Sequence, residues 1–223
     1  MHQQKGKIIF IYLLLLIIVG SINNTALTRF EFENIKNITI SGLNENENIN
    51  LLKDIEDLNL NNIFFLNRNE ISKKINSNTL VENYEIFKKY PYALDIKIER
   101  TKFLAKINNN GKTFIVGTNG KLSDEKFSNK DLPFIFGKPK IDEFIKFTYI
   151  IERSKLSLNQ VKNLYFFQSK RWDLELKNNV ILKLSKDHTK LSLNQAFEIL
   201  NDNNFKNLKV IDARIKNQII LND

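Results

Sequence analysis

No cysteine occurs in the 223 residues, so disulfides, zinc–thiolate sites and cysteine nucleophiles are excluded outright. Cysteine-free chains fit either redox compartment, so location must be read elsewhere. Histidine is nearly as scarce, with only His2 and His188. His188 follows Asp187, but no Gly-x-Ser-x-Gly elbow completes a hydrolase and no second histidine stands nearby to share a metal. It reads as a solvated loop residue, the alternative being a secreted hydrolase with an unrecognised site. The seven glycines are too dispersed for a phosphate-cradling loop. The three prolines leave no Pro-rich linker.

Long basic runs are missing too. Lysine and arginine never exceed two in a row and are scattered among acids. The formal charge of +9 therefore reads as a mixed-charge solvated surface, not a nucleic-acid footprint. The carboxylate pairs Glu45/Glu47 and Asp54/Asp57 lie on or beside a helix, with no apolar pocket to drive their pKa values apart. No enzyme, cofactor, metal site or small-molecule substrate is expected.

Hydrophobic residues make up 42% and charged residues 26%. That supports an ordinary core, in one large domain or two small ones. The N-terminus is different. Lys5 and Lys7 precede Ile8–Val19, an unbroken apolar stretch that continues through Gly20 and Ser21 to Ile22; the next charge is Arg29. Basic residues ahead of such a run hold that end in the cytoplasm and send the rest across. Ile8–Ile22 rises only roughly 22 Å as a helix, against a hydrocarbon core of ~30 Å, and the uncharged residues to Thr28 supply the missing length. A cleaved signal with Val19-Gly20-Ser21 as its processing site fits equally well. Both place residue 30 onward outside the cytoplasm.

Beyond the segment, Ile35–Ser41 reads as a strand and Ile49–Leu58 as a helix with Leu51, Ile55 and Leu58 on one face. Asn67 is an N-cap with Glu70 returning the bond, and Leu66 and Ile71 form a staple. Val81–Lys89 and Leu94–Arg100 are strands around Tyr90-Pro91-Tyr92. From residue 103 strands dominate. Thr113–Val116 and Lys121–Leu122 flank a Thr118-Asn119-Gly120 turn. Leu132–Gly137 is a buried connection and Asp142–Arg153 a helix. Val161–Phe167, Trp172–Leu176 and Val180–Leu184 are strands, the last two joined across Asn178-Asn179. Ser192-Leu193-Asn194-Gln195 opens a further helix as a capping box. Two β-rich stretches follow, Leu208–Ile211 and Ile215–Leu221. If Arg214–Leu221 ends its sheet, its outer N–H and C=O groups can template a partner's strand. Trp172 is a core anchor, and Glu99-Arg100 a structural pair at the domain junction.

A basic tail, one hydrophobic segment and a β-α-α-β-β unit ending in Ile96-Lys97-Ile98-Glu99-Arg100 resemble the FtsQ/DivIB family. So do Phe114–Gly120, Leu132-Pro133-Phe134-Ile135-Phe136-Gly137, Arg171-Trp172-Asp173-Leu174-Glu175-Leu176 and Ile211-Asp212-Ala213-Arg214, in order along the chain. Thr101-Lys102-Phe103 stands where the family has a proline, Asn178-Asn179 where it often has Asn-Gly, and Ala213 where it has leucine. The resemblance implies an α+β fold with a cytoplasmic tail (1–7), a single transmembrane helix (8–28), a POTRA domain (35–102) and a strand-rich α+β domain (103–223). It favours a permanent anchor over a cleaved signal. The implied function is a non-enzymatic divisome scaffold in the inner membrane at the division site, with its domains periplasmic. Implied partners are bitopic division proteins of the FtsB and FtsL type, docked by strand addition. That use implicates Arg214, Ile215, Lys216, Asn217 and Gln218, joined by Ile219 of the apolar terminal strand and by Arg171 as a neighbour. A POTRA-containing outer-membrane assembly or secretion factor is the alternative.

Overall fold

The computed structural model describes residues 2–22, 33–58, 60–127, 131–202, 204–205 and 208–222. Helix α1 (His2–Ile22) comes first. It has no polar face, and every side chain from Ile8 to Val19 is exposed, Leu16 by 74%. Among the described residues, no helix is long and apolar enough to cross a membrane. The uninterrupted apolar stretch Ile8–Val19 rises only about 18 Å. Residues 23–28, which the expected 8–28 span also requires, lie outside the described residues.

The first folded unit runs β1 (Asn37–Ser41), α2 (Glu45–Glu56), α3 (Arg68–Ser77), β2 (Val81–Lys89) and β3 (Ala93–Arg100). β3 is central, parallel to β1 and antiparallel to β2. Leu94, Ile96 and Ile98 alternate along β3 and bury against Leu51 and Ile55 of α2 and Ile71 and Ile75 of α3. That is the period-2 face of a strand meeting the i, i+4 stripe of a helix. α2 starts at Glu45, four residues before the Ile49 at which the sequence pattern opens the helix. Asn44 caps it, and the Glu47 carboxylate accepts the Asn44 N–H at 3.1 Å. Asn67 caps α3 as the sequence indicates, accepting from the Asn69 N–H at 3.1 Å. Glu70 answers through the Asn67 side-chain amide, at 2.9 Å, not through its backbone.

The second unit is one sheet of nine strands, in the order β12-β11-β10-β9-β8-β7-β4-β5-β6. These are β4 (Phe103–Asn109), β5 (Lys112–Gly117), β6 (Leu122–Asp124), β7 (Phe134–Phe136), β8 (Val161–Phe166), β9 (Trp172–Leu176), β10 (Ile181–Leu184), β11 (Val210–Ala213) and β12 (Ile220–Asn222). Helices α4 (Ile141–Glu152) and α5 (Thr189–Leu200) are the crossovers of the parallel pairs β7/β8 and β10/β11. Those strands share one direction and both crossovers step the same way along the sheet. Crossovers of one hand therefore put both helices on one face. Phe144, Phe147, Ile151, Leu193 and Ala196 close that face over Leu164, Leu174, Leu182 and Ile211. Trp172 lies in this core, its ring stacked on Phe147 at 4.6 Å between centroids.

Four local readings need correction. β4 was not anticipated, although Asn110 and Gly111 (φ +52° and +82°) form its tight turn into β5, the left-handed pair a two-residue hairpin needs. Leu132–Gly137 is not a connection but carries β7, hydrogen-bonded in parallel on both sides. Ser192 does not cap α5, which starts at Thr189. The Ser192 side chain is buried, and its hydroxyl donates to the Ala213 carbonyl at 2.8 Å. The run Leu-Ser-Leu-Asn-Gln of 191–195 also stands at 156–160, where it does form a cap, with Ser157 accepting from the Asn159 N–H at 3.3 Å. Finally, Arg214–Ile219 is a turn, and only Ile220–Asn222 forms the terminal strand.

The two units join with only Thr101 and Lys102 between β3 and β4. The Glu82 carboxylate of β2 accepts both the Thr101 hydroxyl (2.8 Å) and the Thr118 hydroxyl (2.6 Å). Asn119 donates its amide to the carbonyls of Thr79 and Val81, each at 2.9 Å. Lys121 donates to Asn76 O at 2.6 Å. Arg100 pairs with Glu47 at 2.6 Å and donates to Phe127 O at 3.3 Å. Glu82→Ala removes the acceptor shared by two hydroxyls, so a loss of roughly 1–3 kcal/mol is expected, with the two units melting less cooperatively in calorimetry. Phe144→Ala, which empties the fully buried centre of the larger core, is expected to cost about 3–5 kcal/mol in urea unfolding.

Candidate interaction edge

Period-2 alternation divides the nine-stranded sheet into a helix-covered face and an open one. On the open face, cross-strand register lines up Phe136, Tyr165, Asp173, Lys183, Asp212 and Ile220 from β7 to β12. The row is aromatic at one end, where Phe136 and Tyr165 stack at 5.1 Å. It is charged in the middle and apolar at Ile220, which is 45% exposed. Lys183 lies between two carboxylates on neighbouring strands, an arrangement of opposite charges that stabilises a sheet face.

Each of the two carboxylates has its own arginine. Arg214 grips Asp212 from two residues along the chain, with Nε to Oδ1 at 2.8 Å and Nη2 to Oδ2 at 2.6 Å. Those bonds hold the Asp212 carboxyl below its ordinary value. Arg171, in the β8–β9 turn, donates from Nε and Nη2 to Asp173 at 3.1 and 3.3 Å and stacks its guanidinium 4.3 Å from the Phe167 ring. Asp173 is only 5% exposed. Burial pushes its carboxyl up, and Arg171 partly offsets the rise, with a further pull from Arg214. Arg171 and Arg214 are therefore brought to one face, at opposite ends of the same charged row.

The other residues named from the sequence separate. Ile215 is 56% exposed. Asn217 takes φ +59° at the turn, a left-handed conformation that asparagine tolerates, and the Gln218 N–H closes onto Ile215 O at 3.2 Å. Lys216 is exposed in the same turn. Ile219 is partly buried against the larger core, so it supports the edge from beneath. None of Arg214–Ile219 is in the strand. The edge itself is β12, which among the described residues pairs with β11 alone. The sequence reading missed Asp173, Lys183 and Ile220, though the alternation in Trp172–Leu176 and Ile181–Leu184 was a usable signal for the first two.

Beside this row, the Glu175 carboxylate accepts from Asn163 and from Tyr165 at 2.8 Å each, and from Lys162 at 2.8 Å. These bonds pull its pKa down to about 2. Elsewhere, a cleft of about 1080 Å³ separates the two units, lined among others by Arg100, Lys102, Asp131, Glu152 and Lys155. Its charges are of mixed sign. Among the described residues no group of His, Asp and Glu is placed to hold a metal. His188 enters hydrogen bonds through its backbone, taking Ser192's hydroxyl on its carbonyl.

The architecture defines a mixed β-α-α-β-β unit followed directly by a large strand-rich unit with a short free edge. The family description "POTRA domain, FtsQ-type" matches residues 33–100, and "Cell division protein FtsQ/DivIB, C-terminal" matches residues 100–214. The chain belongs to the FtsQ/DivIB family of cell-division proteins. It is 27% identical to cell division protein DivIB of Clostridium tetani over 205 residues, 82% of this chain and 76% of that protein. DivIB of Clostridium botulinum strain Hall is 27% identical over 227 residues, covering 93% and 88%. FtsQ of Rickettsia typhi is 23% identical over 188 residues, covering 82% and 70%. The solved major extracytoplasmic domain of DivIB from Geobacillus stearothermophilus aligns with 48% of this chain and 98% of its own, at 16% identity and a TM-score of 0.34.

Two pH effects of opposite sign follow. Glu175, lowered in the fold, contributes stability that is present above its ordinary value of 4.5 and lost as pH falls through about 2. Glu175→Gln is therefore expected to lower stability at pH 7 and flatten the acid limb of a stability profile. Arg171→Met leaves the raised Asp173 carboxyl buried without its guanidinium. That variant should lose roughly 1.5–3 kcal/mol at neutral pH and progressively less as acid protonates Asp173, measured by urea unfolding across pH.

Proposed function

We propose that this chain is a non-enzymatic scaffold of the division machinery, held at the inner membrane by α1 and docking bitopic partners of the FtsB and FtsL type at the β12 edge. The observation that carries the docking reading is β12 itself. It is the outermost strand of its sheet, bonded on one side only, with Ile215 and Ile220 exposed beside it. An extended partner segment added there satisfies the strand's outer backbone groups and gains side-chain contacts on the open face. Arg214, Lys216, Asn217 and Gln218 then flank the added strand, while Ile219 supports it from the core side; Arg171, three strands inward in the β8–β9 turn, is reached only by a segment that continues over the open face.

The anchor reading is supported by α1's composition. A helix apolar all round, with every such side chain exposed, requires an apolar surrounding. Residues 23–28 extend it in sequence without adding a charge. Lys5 and Lys7 ahead of the run place the tail in the cytoplasm and everything from residue 33 outside it.

The test is binding of the full chain in detergent or nanodiscs to the extracytoplasmic segment of an FtsB-type partner. Ile220→Pro, at an exposed position of a three-residue strand, should weaken binding at least tenfold with the melting profile preserved. Unchanged binding would refute strand addition at β12. A fluorescently tagged full chain should also gather at midcell in dividing cells.

A further inference from the structure

We infer that the end of the first unit where the chain enters, an exposed aromatic tip made by Phe64, Phe65 and Tyr90, rests in the headgroup region of the same bilayer. This rests on the anchor reading above.

The tip is built by two segments. In the loop between α2 and α3, Ile63 is fully buried while Phe64 and Phe65 are 50% and 74% exposed. Asn62 folds the loop by accepting both of their N–H groups, at 3.2 and 3.1 Å. The second segment is the β2–β3 turn, whose Tyr90 is 62% exposed and meets Phe64 at 5.2 Å between ring centroids. Lys88 ties the segments together, its ammonium donating to Ile63 O at 2.6 Å. Three large aromatics held outward at one point cost solubility that a lone exposed side chain does not. Tyrosine concentrates at membrane–water interfaces, and phenylalanine inserts at the headgroup–acyl boundary when it is presented on an apolar surface.

What assigns the bilayer as occupant is the path of the chain. Asn34 bridges to Asn62, the residue that folds the aromatic loop. The N–H groups of Lys36 and Asn37 donate to Tyr92 O at 3.0 and 3.4 Å. The first described backbone after α1 is therefore bonded into both segments of the tip. Only residues 23–32 separate it from α1, a reach of at most roughly 33–36 Å when fully extended. The tip is thus the part of the folded mass with the shortest tether to the membrane. Charge adds little, because Lys36 is paired with Glu33 at 2.9 Å and Lys89 with Asp95 at 2.9 Å. Contact is carried by the aromatic rings and should persist on a zwitterionic surface.

The lack of cysteine makes the test clean. Single-cysteine full chains Phe65→Cys, Asn110→Cys and Leu14→Cys would each carry an environment-sensitive fluorophore. They would be reconstituted in phosphatidylcholine nanodiscs with or without doxyl-labelled lipid. Neither core includes Phe65, and Asn110 is exposed in the β4–β5 turn of the other unit. The expected result is blue-shifted emission at position 65, at least halved by shallow doxyl groups, with position 110 unaffected and position 14 quenched by deep ones. If 65 behaves like 110 while 14 is quenched, the tip inference is overturned and the anchor stands. If 14 is not quenched, the anchor reading falls and takes the inference with it. A blue shift at 65 without quenching means that protein covers the tip, a second copy included, and also overturns it.

Discussion

The carboxylate of Glu82 holds this molecule together as a single object. It lies on β2, an edge strand of the smaller sheet, and accepts the hydroxyls of Thr101 and Thr118, one from the crossing point between the units and one from the turn after β5. With only two residues between β3 and β4, there is no slack for the units to swing independently, and the bonds from Asn119 and Lys121 to backbone carbonyls of the smaller unit set the angle. A carbonyl cannot rotate away as a side chain can, so these contacts fix orientation more firmly than surface ion pairs of similar length.

That rigidity gives meaning to the separation of roles along the chain. The aromatic tip is at the end where the chain enters the first unit, and β12 is the outer strand at one end of the nine-stranded sheet. Two crossovers of the same hand leave the opposite face of that sheet without helices. Between its aromatic end and Ile220 that face is polar and paired, Asp173 and Asp212 each with an arginine and Glu175 with three donors. A face satisfied in this way is soluble when bare and offers directional contacts when covered.

Much of this was legible from the chain, for identifiable reasons. β3 alternates cleanly because one of its faces is buried and the other wet, and Asn67 reads as a cap because a short polar side chain there has one strong use. The failures have equally physical causes. Leu-Ser-Leu-Asn-Gln occurs twice and caps only once, because the second copy lies inside a helix that already starts at Thr189, and its Ser192 hydroxyl donates instead to Ala213 O, 21 residues away, a contact no local rule can see. β7 was misread since three residues bonded on both sides need no alternation. The terminal strand is shorter than Ile215 and Ile219 suggest, because Asn217 between them takes a left-handed turn. The junction itself was anticipated only at Arg100; Glu82, Thr118 and Asn119 belong to three separate segments and give no shared signal.

The brevity of β12 has a further consequence. A long bare edge would pair with any extended chain that drifted past, its own copies included. Three residues offer too little backbone for that, so a passing strand leaves as fast as it arrives. Only a segment that also engages the side chains on the open face remains long enough to matter. If partners dock at β12 as proposed, the edge works as a kinetic filter, choosing by residence time among strands that all bind in the same way.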